Sequence, residues 1–259
     1  MLPLVILLPL KIGTKKTLKN ILHQIILVDI MQDIEALKRE AGIKACEYVQ
    51  NGMKVGLGTG STVKYTIIEL ARRINEEGLE ITGVPTSLAT KELADSLGIS
   101  LIELDQINGL DIVIDGADEF DPSFQLIKGG GAALLREKIV AQASNKMVVV
   151  ADDRKQVTTL GQFPLPIEIN LFCSRTTVKQ IEKLLNCEVK IRKLGGKELK
   201  TDNGNLIADA FTGPRIGDPI STETDILKIA GVVQVGLFNN MCDVVIVAGK
   251  NGVEVLEKQ

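Results

Sequence analysis

The sequence predicts an α/β protein: a Rossmann-like, mostly parallel sheet domain with a second, smaller ferredoxin-like α+β domain. Three observations predict it. Short runs such as Ile112 to Ile114, Lys146 to Val150 and Val244 to Ala248 are almost continuously apolar, as strands buried on both faces are. Helical patterns alternate with those strands, the βαβα order that builds a parallel sheet. After Gly161 the order changes to βαββαβ, with Asn203-Gly204 as a hairpin turn.

Composition narrows the function classes. The chain has 259 residues, 45% of them apolar, enough for one large domain or two smaller ones. The net charge of −3, the absence of Trp and an aromatic content of 3% argue against a nucleic-acid partner. Four cysteines, Cys46, Cys173, Cys187 and Cys242, form no CxxC pair, and His23 is the one histidine. A zinc site or a histidine base is therefore not expected, and the cysteines read as small buried hydrophobes.

The first thirty residues differ from the rest. MLPLVILLPL is broken by two prolines and too short to span a bilayer, so no membrane partner is expected. It has no basic stretch ahead of it, unlike a signal peptide. A lysine-rich run follows, and Met31 then precedes a clean amphipathic pattern. Residues 1–30 read as an atypical extension or the product of an upstream start, with an N-terminal anchor as the competing reading.

From Asp33 to Gln50, Ile34, Leu37, Ala41, Ala45 and Val49 recur at helical spacing, and Asn51-Gly52 ends the helix. A strand from Lys54 to Leu57 then meets Gly58-Thr59-Gly60-Ser61-Thr62 and a second helix. A glycine turn opening a hydroxyl-bearing helix N-terminus suits a phosphate. The spacing is neither that of a Walker loop nor GxGxxG. Leu79 to Val84 reads as a strand leading to Pro85-Thr86-Ser87 and a helix from Leu88 to Leu97. Leu101 to Leu104 reads as a short strand. Ile112 to Ile114 delivers Asp115, Gly116, Ala117 and Asp118 to the same sheet edge. Lys146 to Val150 leads to Asp152-Asp153-Arg154-Lys155.

Asp111 to Ala141 carries the densest chemistry. Acids at a strand's carboxyl end are followed by Lys128, Gly129-Gly130-Gly131 and a helix bearing Glu137. Six residues past the last glycine, Glu137 is expected nearly two turns into that helix. A carboxylate base, a cation for an oxyanion, and further carboxylates for hydroxyls suit proton transfer beside a carbonyl.

Phe163-Pro164-Leu165-Pro166 reads as a crossing between domains. Beyond it the pattern gives strand Ile167 to Ile169, helix Thr176 to Leu185, and strands Glu188 to Arg192, Leu199 to Thr201 and Leu206 to Phe211. Helix Ile220 to Ile229 and strand Val232 to Leu237 follow. No dense cluster of chemical groups falls here, so a structural or oligomer-forming role is expected. Val244 to Ala248 should return to the first sheet, followed by a helix from Gly252 to Lys258. The expected division is 31–160 with 238–259 as the catalytic domain and 161–237 as the small one.

GLGTGST, PTS, DGADE and KGGGAALLREKIVA, in this order, resemble the type A ribose-5-phosphate isomerase family, and the likeness runs from about Met31 to the C-terminus, including TDNGN. Leu135 stands where that family often has threonine. The resemblance implies interconversion of ribose and ribulose 5-phosphates in the cytoplasm, without metal or cofactor, by a homodimer or homotetramer. It implies Glu137 as the proton-transferring base, with Asp115, Asp118 and Lys128 beside it. Thr59, Gly60, Ser61, Thr62, Gly116, Ala117, Gly129, Gly130, Gly131, Lys155 and Lys38 would bind substrate. Two other classes fit a similar sheet: a sugar-phosphate-sensing regulatory module, which would bind without turnover, and a CoA-transferase-like enzyme, which would form a covalent thioester on its glutamate.

Overall fold

The computed structural model describes residues 34–258; the expected extension over 1–30 lies outside them. Six strands form the main sheet, and their apolar runs explain it. β1 (Lys54–Leu57), β2 (Thr82–Pro85), β3 (Ile112–Gly116), β6 (Met147–Asp152) and β14 (Val244–Gly249) pair in parallel in the order β14-β6-β3-β1-β2. Alternate residues face opposite sides. Ile112, Ile114, Val148, Val150 and Ile246 join one apolar cluster with Ala41 of α1 (residues 34–45), Leu70 of α2 (Val63–Glu77) and Ala94 of α3 (Leu88–Ser96). Val113, Val149, Val245 and Val247 join another with Leu134 and Val140 of α4 (Leu134–Gln142). Each Val, Leu or Ile side chain among them taken out of water contributes about 1.5–3 kcal/mol. Both faces of the sheet are thus covered.

The strand order reverses between β1 and β3, which places a crevice at their carboxyl ends. Two short strands frame its floor. β4 (Glu119–Phe120) and β5 (Leu126–Ile127) pair with each other, and β5 pairs with β13 (Leu237–Phe238). Asp118 immediately precedes β4 and Lys128 immediately follows β5. Their backbone N–H groups are fixed by the carbonyls of Ile127 and Gly236, both at 2.8 Å.

The later segment forms a four-stranded antiparallel sheet ordered β12-β7-β11-β8: β12 (Val232–Val235), β7 (Leu165–Ile169), β11 (Leu206–Ala210) and β8 (Val189–Ile191). α5 (Ser174–Leu185) and α6 (Pro219–Leu227) supply its crossovers. This is the ferredoxin-like βαββαβ arrangement that the sequence predicts.

Several elements differ from expectation. Gly252 to Lys258 is not a helix: β15 (Gly252–Glu257) turns back antiparallel to β14. Val253 and Val255 alternate onto the core there, a period of two rather than 3.6. Leu199 to Thr201 is not a strand. β9 (Lys193–Leu194) and β10 (Lys197–Glu198) make a small hairpin instead, and only Lys200 bridges to Leu206. Leu101 contributes one bridge, to Gly83. Val232 to Leu237 divides between two sheets at Gly236. The cysteines follow expectation only in part: Cys46 and Cys242 are buried, and burial pushes both thiols up to about 12, while Cys187 is half-buried. Cys173, by contrast, is exposed.

Candidate active site

The crevice becomes a cleft holding about 640 Å³ of empty space, part of it at the open mouth. Its walls follow from the strand ends. Thr59, Gly60, Ser61 and Thr62 leave β1 and open α2, whose N-terminus carries no side-chain cap and turns the positive end of the helix dipole toward them. Gly116, Ala117 and Asp118 leave β3. Lys128, Gly129, Gly130 and Gly131 leave β5, and Glu137 looks in from α4. Lys38 from α1 and Lys155 from the turn after β6 complete the lining, with Asp152 and Arg154.

Asp115 departs from the expected set. It is wholly buried behind the cleft rather than in its wall. Its Oδ1 accepts N–H bonds from Thr59 (3.0 Å) and Gly116 (2.8 Å). Its Oδ2 lies 3.0 Å from Lys128 Nζ. Gly58 makes room for this: a side chain there would collide with the Asp115 carboxylate.

Lys128 is the centre of the charge arrangement. Its side chain is 2% exposed, and its ammonium lies 3.0 Å from Asp115 and 3.3 Å from Glu137. It donates to the Gly116 carbonyl and sits 5.3 Å from the centre of the Phe238 ring. Burial disfavours the ammonium, but the two carboxylates outweigh it and hold its pKa above the ordinary value. One positive charge cannot neutralise two buried negative ones. Burial and then the Asp115 charge therefore push Glu137 up to about 8. Burial also raises Asp115. Glu137 Oε2 is buried and has no hydrogen-bond partner, so an acceptor oxygen is available at the edge of the cleft.

Glu137 does not stand two turns into its helix. Positive φ at Gly129 and Ala132 (115° and 59°) prolongs the loop, so α4 begins at Leu134 and Glu137 falls in its first turn. Its neighbours go elsewhere. Arg136 Nε donates to Asn203 Oδ1 (2.9 Å), and Lys138 donates to Glu223, Gln234 and the carbonyls of Val235 and Leu237. Glu137 is thus not a surface acid paired along its own helix.

The glycine run serves an internal anion. Gly130 N–H donates to Asp118 Oδ2 at 2.7 Å, an approach that a side chain at Gly130 would block. The PTS hydroxyls are also spent internally. Thr59 Oγ1 contacts Thr86 Oγ1 (2.7 Å) and Ser87 Oγ (2.8 Å), while Thr90 Oγ1 donates to the Gly58 carbonyl (2.8 Å). They brace the loop after β1 rather than reach into the cleft.

Sequence reasoning missed Asp152, Arg154 and Arg192. Arg154 and Asp152 form a tight pair whose hydrogen bonds overcome burial and hold the Asp152 carboxyl below its usual range. The acidic run after β6 was the signal for these two. Arg192 comes from the small sheet and bonds the carbonyls of Gly129 and Gly130 (2.8 and 2.9 Å).

A doubly wound sheet, a carboxylate raised toward neutrality, a buried ammonium beside it and a helix N-terminus opposite define a proton-transfer enzyme acting on a small anionic ligand. Comparison with known proteins agrees. Residues 82–252 match the family described as ribose 5-phosphate isomerase A (phosphoriboisomerase A). A ribose-5-phosphate isomerase A from Bacillus mycoides is 50% identical, covering 84% of this chain and 98% of that one. The structure of ribose 5-phosphate isomerase from Plasmodium falciparum superimposes with a TM-score of 0.85 at 39% identity, covering 87% of this chain and 100% of the other. A D-ribose-5-phosphate isomerase in complex with phospho-erythronic acid gives 0.84 at 38% identity, covering 87% and 99%. The chain belongs to the ribose 5-phosphate isomerase A family.

Proposed function

We propose that this chain interconverts D-ribose 5-phosphate and D-ribulose 5-phosphate, an aldose–ketose step of the pentose phosphate pathway. The observation that carries the mechanism is the Lys128 ammonium held 3.3 Å from Glu137 Oε1 while Glu137 Oε2 is unpartnered. The Glu137 carboxylate takes the proton from C2 of the open-chain aldose. Negative charge builds on O1, where Lys128 neutralises it, and an enediolate forms. The same carboxyl returns its proton to C1. The O2 proton moves to O1, with Asp118 as the relay and the group that holds hydroxyls. Asp115 acts through Lys128, as its counter-ion. The phosphate rests at the α2 N-terminus, among Ser61, Thr62, Lys38 and Lys155. The same reading takes a homodimer or homotetramer in the cytoplasm as the working form, with 31–160 and 238–259 as catalytic domain and 161–237 as small domain. No helix among the described residues is long and apolar enough to cross a membrane.

The direct test is ribulose 5-phosphate formation from ribose 5-phosphate with EDTA present. Chelator-resistant turnover is expected, and no turnover with or without EDTA, in folded protein that still binds the sugar phosphate, would leave the sensing module instead. The pH profile is a second test. Glu137 must be ionised to act, and its folded-state pKa is raised to about 8. In the free enzyme the competent form therefore accumulates as pH rises. Below that value kcat/KM should fall about tenfold per pH unit. An acid limb near the ordinary carboxylate value would mean that burial does not raise Glu137 in the free enzyme.

Ser61 supports the phosphate and not the reacting carbons. Ser61→Ala is expected to raise KM several-fold, about 1 kcal/mol for one hydrogen bond, at nearly constant kcat. Steady-state kinetics across ribose 5-phosphate concentration separates the two constants.

A further inference from the structure

We propose that Arg192, on the small sheet, is a positioning residue for the reaction, clamping the Gly129–Gly130 peptide so that its N–H stays on Asp118. The inference rests on the isomerase reading and extends it to a part of the fold for which only a structural role is expected.

The clamp is built from one peptide plane. Its oxygen, Gly129 O, accepts from Arg192 Nη1 at 2.8 Å. Its N–H, on Gly130, donates to Asp118 Oδ2 at 2.7 Å. In a trans peptide these two groups point in opposite directions, so Arg192 on one side fixes what Asp118 receives on the other. Rotation of this plane would turn a carbonyl oxygen toward a carboxylate. Glycines on both sides make that rotation easy, since nothing in the side chains resists it. Arg192 Nη1 also takes Gly130 O at 2.9 Å, which fixes the next plane.

Arg192 is itself held. Its Nε and Nη2 donate to Asp209 Oδ2 and Oδ1 at 2.8 and 2.5 Å, and both side chains are only 15% exposed. Its backbone N–H donates to Ile207 O at 2.8 Å. A planar fork with five donors can hold a carboxylate on one edge and two carbonyls on the other; an ammonium cannot. The loop so fixed begins at Lys128. The clamp therefore sets Asp118, the hydroxyl-binding wall, and the chain that carries the ammonium between Asp115 and Glu137. The hydrogen bonds of Arg192 to the cleft wall go to backbone carbonyls, so it acts through the backbone.

The test compares wild type, Arg192→Ala, Arg192→Lys and Asp209→Asn. Misplacing reacting groups through a distant change lowers kcat by about 10- to 100-fold. That loss is expected in Arg192→Ala, with inhibition by inorganic phosphate unchanged, because phosphate reports the opposite wall at α2. Added guanidinium should restore part of kcat in Arg192→Ala, whereas Arg192→Lys should not recover it. Asp209→Asn, which keeps the arginine but loosens its hold, should lose kcat to a smaller extent. Wild-type kcat in both Arg192→Ala and Asp209→Asn would overturn the proposal. Equal loss of turnover and phosphate inhibition, unrescued by guanidinium, would also overturn it and reduce Arg192 to a folding residue. An inactive wild type removes the isomerase reading itself, and that is seen before any variant is compared.

Discussion

Replacing Glu137 by glutamine is expected to lower kcat at least about a hundredfold, the contribution of a positioned general base. KM should change little, because the phosphate wall is elsewhere in the cleft. Glutamine keeps the volume of the side chain and a carbonyl oxygen for Lys128, which lies 3.3 Å from Glu137 Oε1. It loses only the capacity to take a proton. The exchange also replaces an acid that burial already drives toward its neutral form by a neutral amide, so the fold should hold. The readouts are steady-state kinetics and exchange of the C2 hydrogen of substrate with solvent. Both should fall together. If kcat stays within a few-fold of wild type, another group moves the proton and the assignment is wrong.

Much of this site is legible in the sequence because its signals are local. A glycine turn after an apolar strand, acids at a strand end, and a lysine before three glycines each announce themselves within a few residues. They converge because parallel strands deliver their carboxyl ends to one edge. All the predicted site residues except Asp115 line one cleft. Asp115 sits behind it because burial depth is not written in a motif: the same DGAD run could face solvent. The PTS hydroxyls illustrate the same limit, since whether a hydroxyl reaches ligand or braces a loop depends on partners 27 to 28 positions away.

What was not legible is mostly non-local. Arg192 meets the glycine loop across 62 and 63 positions of chain, and nothing near Arg192 in sequence signals it. The two-residue strands β4, β5 and β13 are too short to show a period, yet they fix the backbone of Asp118 and Lys128. β15 is different: its signal was present. Val253 and Val255 flank Glu254 after Asn251-Gly252, a hairpin pattern open to recognition from sequence. The place of Glu137 in α4 turned on Ala132, whose positive φ no composition rule foresees.

Lys128→Met is the sharper test of the charge arrangement, because it should leave two signatures at once. Loss of an oxyanion donor costs about a hundred- to a thousandfold in kcat, about 2.7–4 kcal/mol. Deleting one partner of a buried ion pair would ordinarily destabilise by about 3–5 kcal/mol, by stranding a charge. Here the stranded groups are acids that burial already pushes toward the neutral form, Glu137 up to about 8, so uptake of a proton relieves the stranded charge. Protonation wins over unfolding, and the folded protein should survive with methionine filling the space of the lysine stem. The second signature follows from sign. The Lys128 charge lowers the pKa of Glu137, partly offsetting burial and Asp115. Its removal therefore moves Glu137 higher still. The acid limb of kcat/KM should shift to more alkaline pH in Lys128→Met than in wild type, on top of the loss in kcat. A variant that loses kcat with an unmoved acid limb would mean that Lys128 stabilises the oxyanion without tuning the base. An unmoved kcat would mean that the ammonium between Asp115 and Glu137 serves the fold alone, and the oxyanion must then be held by the backbone N–H groups of the cleft.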